Sequence, residues 1–249
     1  TTPIGFGEWD VNDGSGVLTI DDAMYAFTPV VSNNYDITGV LDYAFSLWNL
    51  EPRDANDIVG TPAGPNIVSI MDIQTPGVAM GDTSQYFGQT VTTKGVVTGV
   101  IVNGAPGTFF IQDGNGAWNG VYVCESGTPV TRGDSVEVSG DVTEFNGLTE
   151  IVSVTNITVL NSGNTLPTPA MISTNDAATM EEYEGVLVQM NNAEYTNNPA
   201  QFGLWEVNDG SGMVECDDDM YPYAGIGNVG TFYDITGIGH YSFGTRKVL

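Results

Sequence analysis

Short runs of alternating apolar and polar residues recur along the chain, and turn-forming residues separate them. Residues 136–142 read VEVSGDV, and residues 35–41 read YDITGVL. Alternation with a period of two is typical of strands that are buried on one face. No run approaches the ~20 apolar residues that a membrane helix requires. The pattern therefore predicts an all-β fold of short strands without a membrane span.

A glycine-rich motif separates pairs of these strands. VNDGSG occurs at 11–16 and at 207–212, and DGNG occurs at 113–116. Asp-Gly between alternating apolar residues predicts a hairpin, because Gly readily adopts the positive φ of a tight turn. A phosphate-binding loop would need a helix after the turn and usually a Lys. An EF-hand loop would need its Gly one position later and a Glu six positions beyond it. We therefore interpret the motif as a hairpin turn.

The chain contains an internal repeat with an offset of 196 residues. Residues 1–25 align with residues 197–221, which places Trp9 on Trp205. After a two-residue insertion, YDITGVLDYAF (35–45) aligns with YDITGIGHYSF (233–243). Residues 108–154 are a looser third version. A repeat of this length indicates three copies of one structural unit.

An additional strand precedes two of the three copies. It spans residues 89–102 before the middle copy and 181–195 before the last, and it contains Gly95 and Gly185, which suggest bends. One long bent strand followed by two hairpins predicts a five-stranded OB-like barrel. The first copy lacks this strand.

Pro- and Gly-rich segments at 60–66 and 161–169 separate the copies. The predicted fold class is all-β, with tandem OB-like five-stranded barrels of which the first is incomplete. The predicted domains are a partial barrel at 1–59 that lacks its first strand, a barrel at 66–160, and a barrel at 165–249 of the same type as the first.

Nearly the whole chain resembles a known module. IVSIMDIQTPGVAMGDTSQYFGQTVTTKGVVTGV and GTFFIQDGNGAWNGVYVCESGTPVTRGDSVEVSGDVTEFNGLTEI are similar to the OB-like domain near the N-terminus of secreted bacterial extracellular nucleases. EEYEGVLVQM, LWEVNDGSG and YDITGIGHYSFGTRKVL resemble the second such domain, and EPRDANDI resembles its end. The catalytic phosphoesterase domain of that family has no counterpart here. The resemblance therefore implies an exported accessory or scaffold region and transfers no catalytic residue.

The net charge of −26, with only five Lys and Arg residues, changes the list of plausible partners. A nucleic-acid surface requires many phosphate-neutralising cations, so nucleic acid is an unlikely ligand. An acidic surface is typical of a soluble exported protein or of one that binds divalent cations. With the low Lys content, this favours an extracellular or cell-surface location reached by bacterial-type secretion.

Few residues are candidates for chemistry. The lone His240 stands where the first copy has Asp42, so we interpret it as a surface strand residue without a catalytic role. Cys124 and Cys216 lie in different barrels and are expected to be buried free thiols. Carboxylates recur just after the hairpins, at Asp21 and Asp22 and at Asp217, Asp218 and Asp219. This clustering is compatible with structural calcium or with solvated loop charge; apart from calcium, no cofactor is predicted.

These observations predict a non-enzymatic extracellular structural module, a surface or filament-forming protein. A barrel without its first strand exposes unpaired backbone, which favours strand addition from another copy. Head-to-tail contacts of this kind generate homo-oligomers or filaments. The candidate assembly residues are Thr1, Thr2, Pro3, Phe6 and Trp9. The alternative is an accessory substrate- or wall-binding region of a secreted nuclease or phosphoesterase.

Overall fold

The computed structural model consists of two compact units, Thr1–Asn66 and Ile67–Leu249. It describes residues 2–5, 7–31, 33–44, 46–61, 67–77, 81–103, 107–125, 127, 130–198, 203–222 and 227–249, with the backbone alone at 2–5 and 61. Strands dominate and the two α-helices are short, so the predicted all-β class is confirmed. Neither helix is long enough to cross a membrane in the described part of the chain.

The first unit consists of short strands around one aromatic core. Its strands are β1 (Thr2–Gly5), β2 (Glu8–Asn12), β3 (Val17–Ile20), β4 (Asn34–Ile37), β5 (Val40–Ala44), β6 (Leu47–Glu51) and β7 (Ile58–Thr61). One sheet has the order β1-β2-β3-β6-β5, and β4 pairs separately with β7. Trp9, Ile20 and Ile58 are buried together, and the Trp9 ring meets the edge of Tyr35 at 5.2 Å between centroids. The recurrence of Trp9 in the sequence therefore reflects core packing.

The predicted hairpin turn joins β2 to β3. The side chains of Asn12 and Asp13 accept the backbone N–H groups of Gly14 and Ser15 at 2.8 and 3.0 Å. Gly14 has φ of +97°, a value that disfavours any residue with a Cβ. The Asn-Asp-Gly sequence thus fixes the turn through side chains that replace backbone partners.

The middle barrel opens the second unit. It contains the helix α1 (Ile70–Gln74) and the strands β8 (Thr90–Val100), β9 (Phe109–Gln112), β10 (Gly120–Val123), β11 (Ser135–Phe145) and β12 (Leu148–Asn161). The strands form a closed ring in the order β8-β9-β10-β12-β11, in which β10 and β12 are parallel. The alternation in VEVSGDV is confirmed, since Val136, Val138 and Val142 all point into the core. The strand irregularity in β8 lies between Val97 and Gly99, a few residues beyond Gly95.

The last barrel completes the second unit. Its elements are β13 (Ala170–Met171), the helix α2 (Thr174–Thr179), β14 (Leu187–Asn197), β15 (Trp205–Asn208), β16 (Met213–Cys216), β17 (Phe232–Ser242) and β18 (Thr245–Val248). Pairing of β14 with both β15 and β17 gives the same ring order as in the middle barrel. The strand predicted from residue 181 begins only at Leu187. Glu181–Tyr183 form a 3-10 turn instead, and Gly185 precedes the strand with φ of +73°.

Strand pairing aligns the first barrel with the last. The parallel pair Ile20–Leu50 corresponds to Cys216–Val248, so β6 matches β18 and β4 with β5 matches β17. Residues 190–194 of β14 pair with the part of β17 that matches β4, as β7 pairs with β4, whereas β1 matches residues 197–201 and overlaps only the last residue of β14. Part of the strand position that the sequence predicts to be open is therefore occupied by β7. The first barrel is still incomplete, because its described residues include no continuous first strand and no α-helix.

Candidate functional site

The D-G-x-G turn binds the start of a helix in two of the three barrels. The backbone N–H of Ile70, the first residue of α1, donates to Oδ2 of Asp113 at 2.8 Å. The N–H of Thr174, the first residue of α2, donates to Oδ2 of Asp209 at 3.1 Å. The first N–H groups of a helix have no intrahelical acceptor, and a carboxylate satisfies them well. The turn is thus the place where a barrel receives the helix that packs on its core.

The contact in the last barrel is extensive. The Thr174 hydroxyl has one proton to donate and lies 2.8 Å from Oδ1 of Asp209 and 2.5 Å from the carbonyl oxygen of Gly212, the two acceptors within its reach. The N–H of Asn175 donates to the Ser211 hydroxyl at 3.1 Å. Burial alone would raise the pKa of Asp209, but hydrogen bonds from Ser211 and Thr174 outweigh it and lower this pKa to about 2. An ionised carboxylate is therefore held at the start of α2.

The same turn in the first barrel has no helix against it among the described residues. There Asp13 is exposed, and its Oδ1 accepts from the N–H and the hydroxyl of Ser15. A cavity of about 450 Å³ lies beside it. Its apolar lining comprises Val11, Leu18, Ile20, Tyr35, Ile37 and Leu50, and its polar rim includes Asn12, Asp13, Ser15 and Asn34. This helix-binding role of the turn was missed from the sequence.

A buried junction joins the middle and last barrels. Phe110 and Tyr122 of the middle barrel pack with Ile238 and Leu249 of the last. Polar contacts cross the same boundary: Oε1 of Gln112 accepts the N–H of Leu187 at 2.9 Å, and a carboxylate oxygen of Glu184 accepts the N–H of Thr149 at 2.9 Å. Glu184 also pairs with Arg246, which contacts Glu181 as well.

The first barrel carries an apolar surface at the position of this junction. We call Val40, Leu41, Tyr43, Leu47 and Trp48 the β5 surface; each of these side chains is between 45% and 61% exposed. Strand alignment places Val40 on Ile238, which is fully buried at the junction. It places Trp48 on Arg246, and the Tyr43–Trp48 ring pair at 5.0 Å replaces a cation–π contact of Arg246 with Tyr241. β5 is also an edge strand of its sheet.

His240 was expected at the surface, and this expectation is wrong. The residue is 8% exposed, and its ring lies 5.6 Å from that of Phe110 and 5.7 Å from that of Tyr122. Its Nδ1 has no hydrogen-bond partner among the described residues. Burial, with a smaller effect of Lys247, lowers the pKa of His240 to about 4. The ring is therefore neutral at pH 7 and belongs to the junction.

The predicted acidic residues form a compact carboxylate cluster in the last barrel but not in the first. Carboxylate oxygens of Asp217, Asp218 and Asp219 lie within 4.8 Å of one another, whereas Asp21 and Asp22 belong to no such group in the described chain. Nζ of Lys247 lies 2.9 Å from Oδ2 of Asp217, and both side chains are buried. A calcium ion would have to compete with this internal cation.

Asp22 and Asp218 share a second feature that accounts for their recurrence. Each carboxylate lies against the backbone of a glycine, Gly7 or Gly203, with no space for a Cβ between them. Both glycines have positive φ, of +85° and +76°. The repeated aspartates therefore belong to a repeated backbone geometry in addition to any role in cation binding.

The predicted assembly residues fall into three groups. Thr1 and Phe6 lie outside the described residues, and the backbone of Thr2 and Pro3 pairs with β2. Trp9 is 1% exposed. Its ring is therefore in the core and is not available to a partner.

The two cysteines are free thiols, as expected, but Cys124 is exposed while Cys216 is buried. The expectation of burial is wrong for Cys124 because it follows the last residue of β10. Burial raises the pKa of the Cys216 thiol above its usual range. Cys216 is therefore a protonated core residue.

Comparison with known proteins identifies no relative that defines a function. No family model and no curated protein matches the chain. One solved structure, described as the molecular basis for abrogation of activation of pro-inflammatory cytokines, is 11% identical and covers 69% of this chain and 95% of its own, with a TM-score of 0.31. Another, described as structural mimicry for functional antagonism, is 10% identical over 65% and 88%, with a TM-score of 0.28. These likenesses are too distant to bear on fold or function.

Proposed function

We propose that this chain is a non-enzymatic extracellular structural protein that assembles with further copies of itself through its first barrel. The observation that carries the proposal is the β5 surface. It combines a strand edge that has no partner among the described residues with exposed Val40, Leu41 and Trp48, whose counterparts in the last barrel, Ile238, Gly239 and Arg246, are buried or half-buried. Contiguous exposed apolar side chains beside a strand edge favour association with another chain.

The pairing of β7 with β4 changes how strand addition would occur. The edge of β4 already has a partner within the chain, so β5 offers the edge to a neighbouring copy. A contact between this edge and a different surface of the next copy is head to tail. Repetition of such a contact builds a filament when the rotation between copies does not close a ring.

The basic residues support a role without nucleic acid. Arg53, Lys94, Arg246 and Lys247, four of the five cations of the chain, are each within ion-pair distance of a carboxylate. Few charges are left to neutralise phosphates. Export to the cell surface is supported by the acidic composition and by the resemblance to secreted modules.

Calcium binding stays a prediction, and it concerns the last barrel. Asp217, Asp218 and Asp219 offer clustered oxygen ligands of the type that calcium prefers. The first barrel has Ala23 at the position of Asp219, so the repeat does not preserve the cluster.

The experiment measures the assembly state of the purified chain by multi-angle light scattering and electron microscopy over a range of concentrations. The test variant combines Leu41→Gly with Trp48→Arg, which are the residues of the last barrel at these positions and should preserve the fold. Phe145→Ser, at another exposed aromatic residue, is the matched control. We expect wild type and control to form oligomers that the test variant loses. A wild-type chain that stays monomeric at high concentration would rule out the proposal.

The alternative is an accessory region of a secreted nuclease or phosphoesterase that binds substrate or cell wall. It is supported by the resemblance of the barrels to modules of that family. A metal-dependent phosphoesterase domain in the same gene, and retention of the purified chain on cell-wall material, would favour it over the scaffold.

A further inference from the structure

The first barrel has the receptor for a capping helix. In the middle and last barrels, the turn carboxylates Asp113 and Asp209 accept the first N–H of α1 and α2. Asp13 occupies the same position in an identical VNDGSG sequence. No α-helix occurs among the described residues of this unit.

The cavity beside Asp13 has the lining that the helix covers in the last barrel. Val11, Leu18 and Leu50 border the cavity and are half-buried. Their counterparts are Val207, Val214 and Val248, which are at most 1% exposed in the core that includes Ala177 of α2. The first and last barrels therefore have similar apolar residues at these positions, and in the last barrel the helix α2 covers them.

The helices share a chemistry that defines the expected occupant. Each has an N-cap serine, Ser69 or Ser173, that accepts the N–H of an aspartate three residues later. In the last barrel, Thr174 then reaches the turn carboxylate, and small Ala177 faces the core. A helix that binds the first barrel in the same way would have an N-cap serine, then a residue that donates a hydrogen bond to Asp13, and then small apolar residues that face the cavity.

We infer that the first barrel binds a short helical segment of the sequence type Ser-Thr-x-Asp-Ala-Ala. The N–H and hydroxyl at the threonine position would donate to the Asp13 carboxylate, and the alanine face would enter the cavity. The segment would end before the position of Tyr183. In the last barrel, Gly239 leaves space for the carbonyl of Tyr183, and the first barrel has the larger Leu41 at the position of Gly239. This binding site is independent of assembly through the β5 surface, since a monomeric chain would also bind the segment.

A synthetic peptide with the sequence of residues 170–180, AMISTNDAATM, tests the inference by calorimetric titration into the full chain. We expect one site per chain. Replacing Ala177 by Glu in the peptide should weaken binding at least tenfold, because a carboxylate would enter an apolar cavity. Replacing Thr174 by Val in the peptide should weaken it several-fold through loss of the hydroxyl donor.

Variants of the chain locate the site. Asp13→Ala and Leu18→Glu should each reduce peptide affinity at least tenfold, whereas Asp209→Ala, the matched change in the last barrel, should leave the first site intact. The peptide variants leave the chain unchanged, so they remain decisive where a chain variant fails to fold. No saturable binding, or equal affinity of the parent and Glu-containing peptides, would overturn the inference.

Discussion

The backbones of Gly120 and Gly185 touch across the junction between the middle and last barrels. A Cβ on Gly185 would lie 2.6 Å from the carbonyl carbon of Gly120, and a Cβ on Gly120 would meet the carbonyl of Gly185 with still less space. Glycine at both positions lets two strand regions approach closely enough to bury Phe110 and Ile238 between them. The two barrels therefore share one apolar cluster, and their stability should be coupled.

Gly185→Ala should destabilise the second unit by about 3 kcal/mol, through overpacking and through the positive φ of this residue. Gly163→Ala is the matched control, because Gly163 has a similar φ of +76° and nothing near its missing Cβ. The control should lose only about 1 kcal/mol. Urea unfolding gives both free energies. Equal losses in the two variants would contradict a junction held by this glycine contact.

The sequence predicted the local elements well and the contacts between them poorly. The alternation at Val136, Val138 and Val142 has a local cause, the pleat of one strand, so a single segment reveals it. Gly185 was interpreted as a strand bend, because nothing near it in sequence shows that Gly120 lies against it. His240 looked exposed for the same reason: its neighbours Phe110 and Tyr122 are more than a hundred residues away.

The helix-binding turn is a second feature whose long-range contacts could not be predicted from the sequence. Asp209 was recognised as a turn former, a role that depends on Ser211 two residues away. Its other role, accepting from Thr174, depends on a partner 35 residues earlier in the chain. The repeat located the motif three times, but only the positions of α1 and α2 reveal that the turn binds a helix.

Thr174→Val should destabilise the last barrel by about 1–2 kcal/mol. The hydroxyl contacts Asp209 and the carbonyl of Gly212 in a buried site, so its loss removes a donor from the Gly212 carbonyl, while Asp209 keeps its hydrogen bonds from Ser211 and from the Thr174 N–H. Thr179→Val is the matched control, because the Thr179 hydroxyl bonds to its own helix at an exposed position. That change should stay within about 0.5 kcal/mol. Similar losses in urea unfolding would show that the hydroxyl contact with the turn is unimportant.

Lys247→Met should destabilise the last barrel by about 3 kcal/mol, because it leaves the buried carboxylate of Asp217 without its cation. If the acidic cluster has affinity for calcium, removal of Lys247 should strengthen it. We therefore expect millimolar calcium to raise the melting temperature of Lys247→Met more than that of wild type, each relative to EDTA.

The control for calcium is the double variant Lys247→Met with Asp219→Asn, which weakens the cluster while the lysine is absent. Its response to calcium should be smaller than that of the single variant. A uniform response in all three chains would assign the effect of calcium to general charge screening of an acidic protein.

The imidazole of His240 should contribute a loss of stability as pH decreases from about 6.5 to 4. Its pKa is lowered from an unfolded value of about 6.5 to about 4 in the folded chain. In this window the unfolded state binds the proton and the folded state does not, so protonation favours unfolding. The difference of about 2.5 pKa units sets an upper limit of about 3 kcal/mol on the loss. The rings of Phe110 and Tyr122 offer the imidazolium no compensating charge, and the nearby cation Lys247 opposes it.

The variant His240→Leu isolates this contribution, because Glu184, whose raised pKa of about 8 acts in the opposite sense over this range, is present in both chains and cancels in the difference. Urea unfolding at pH 7.5, 6.5, 5.5 and 4.5 should therefore show that wild type loses stability relative to the variant, with the gap developing below pH 6.5. Parallel pH profiles for the two chains would mean that the imidazole is solvated when charged, which is incompatible with its burial at the junction.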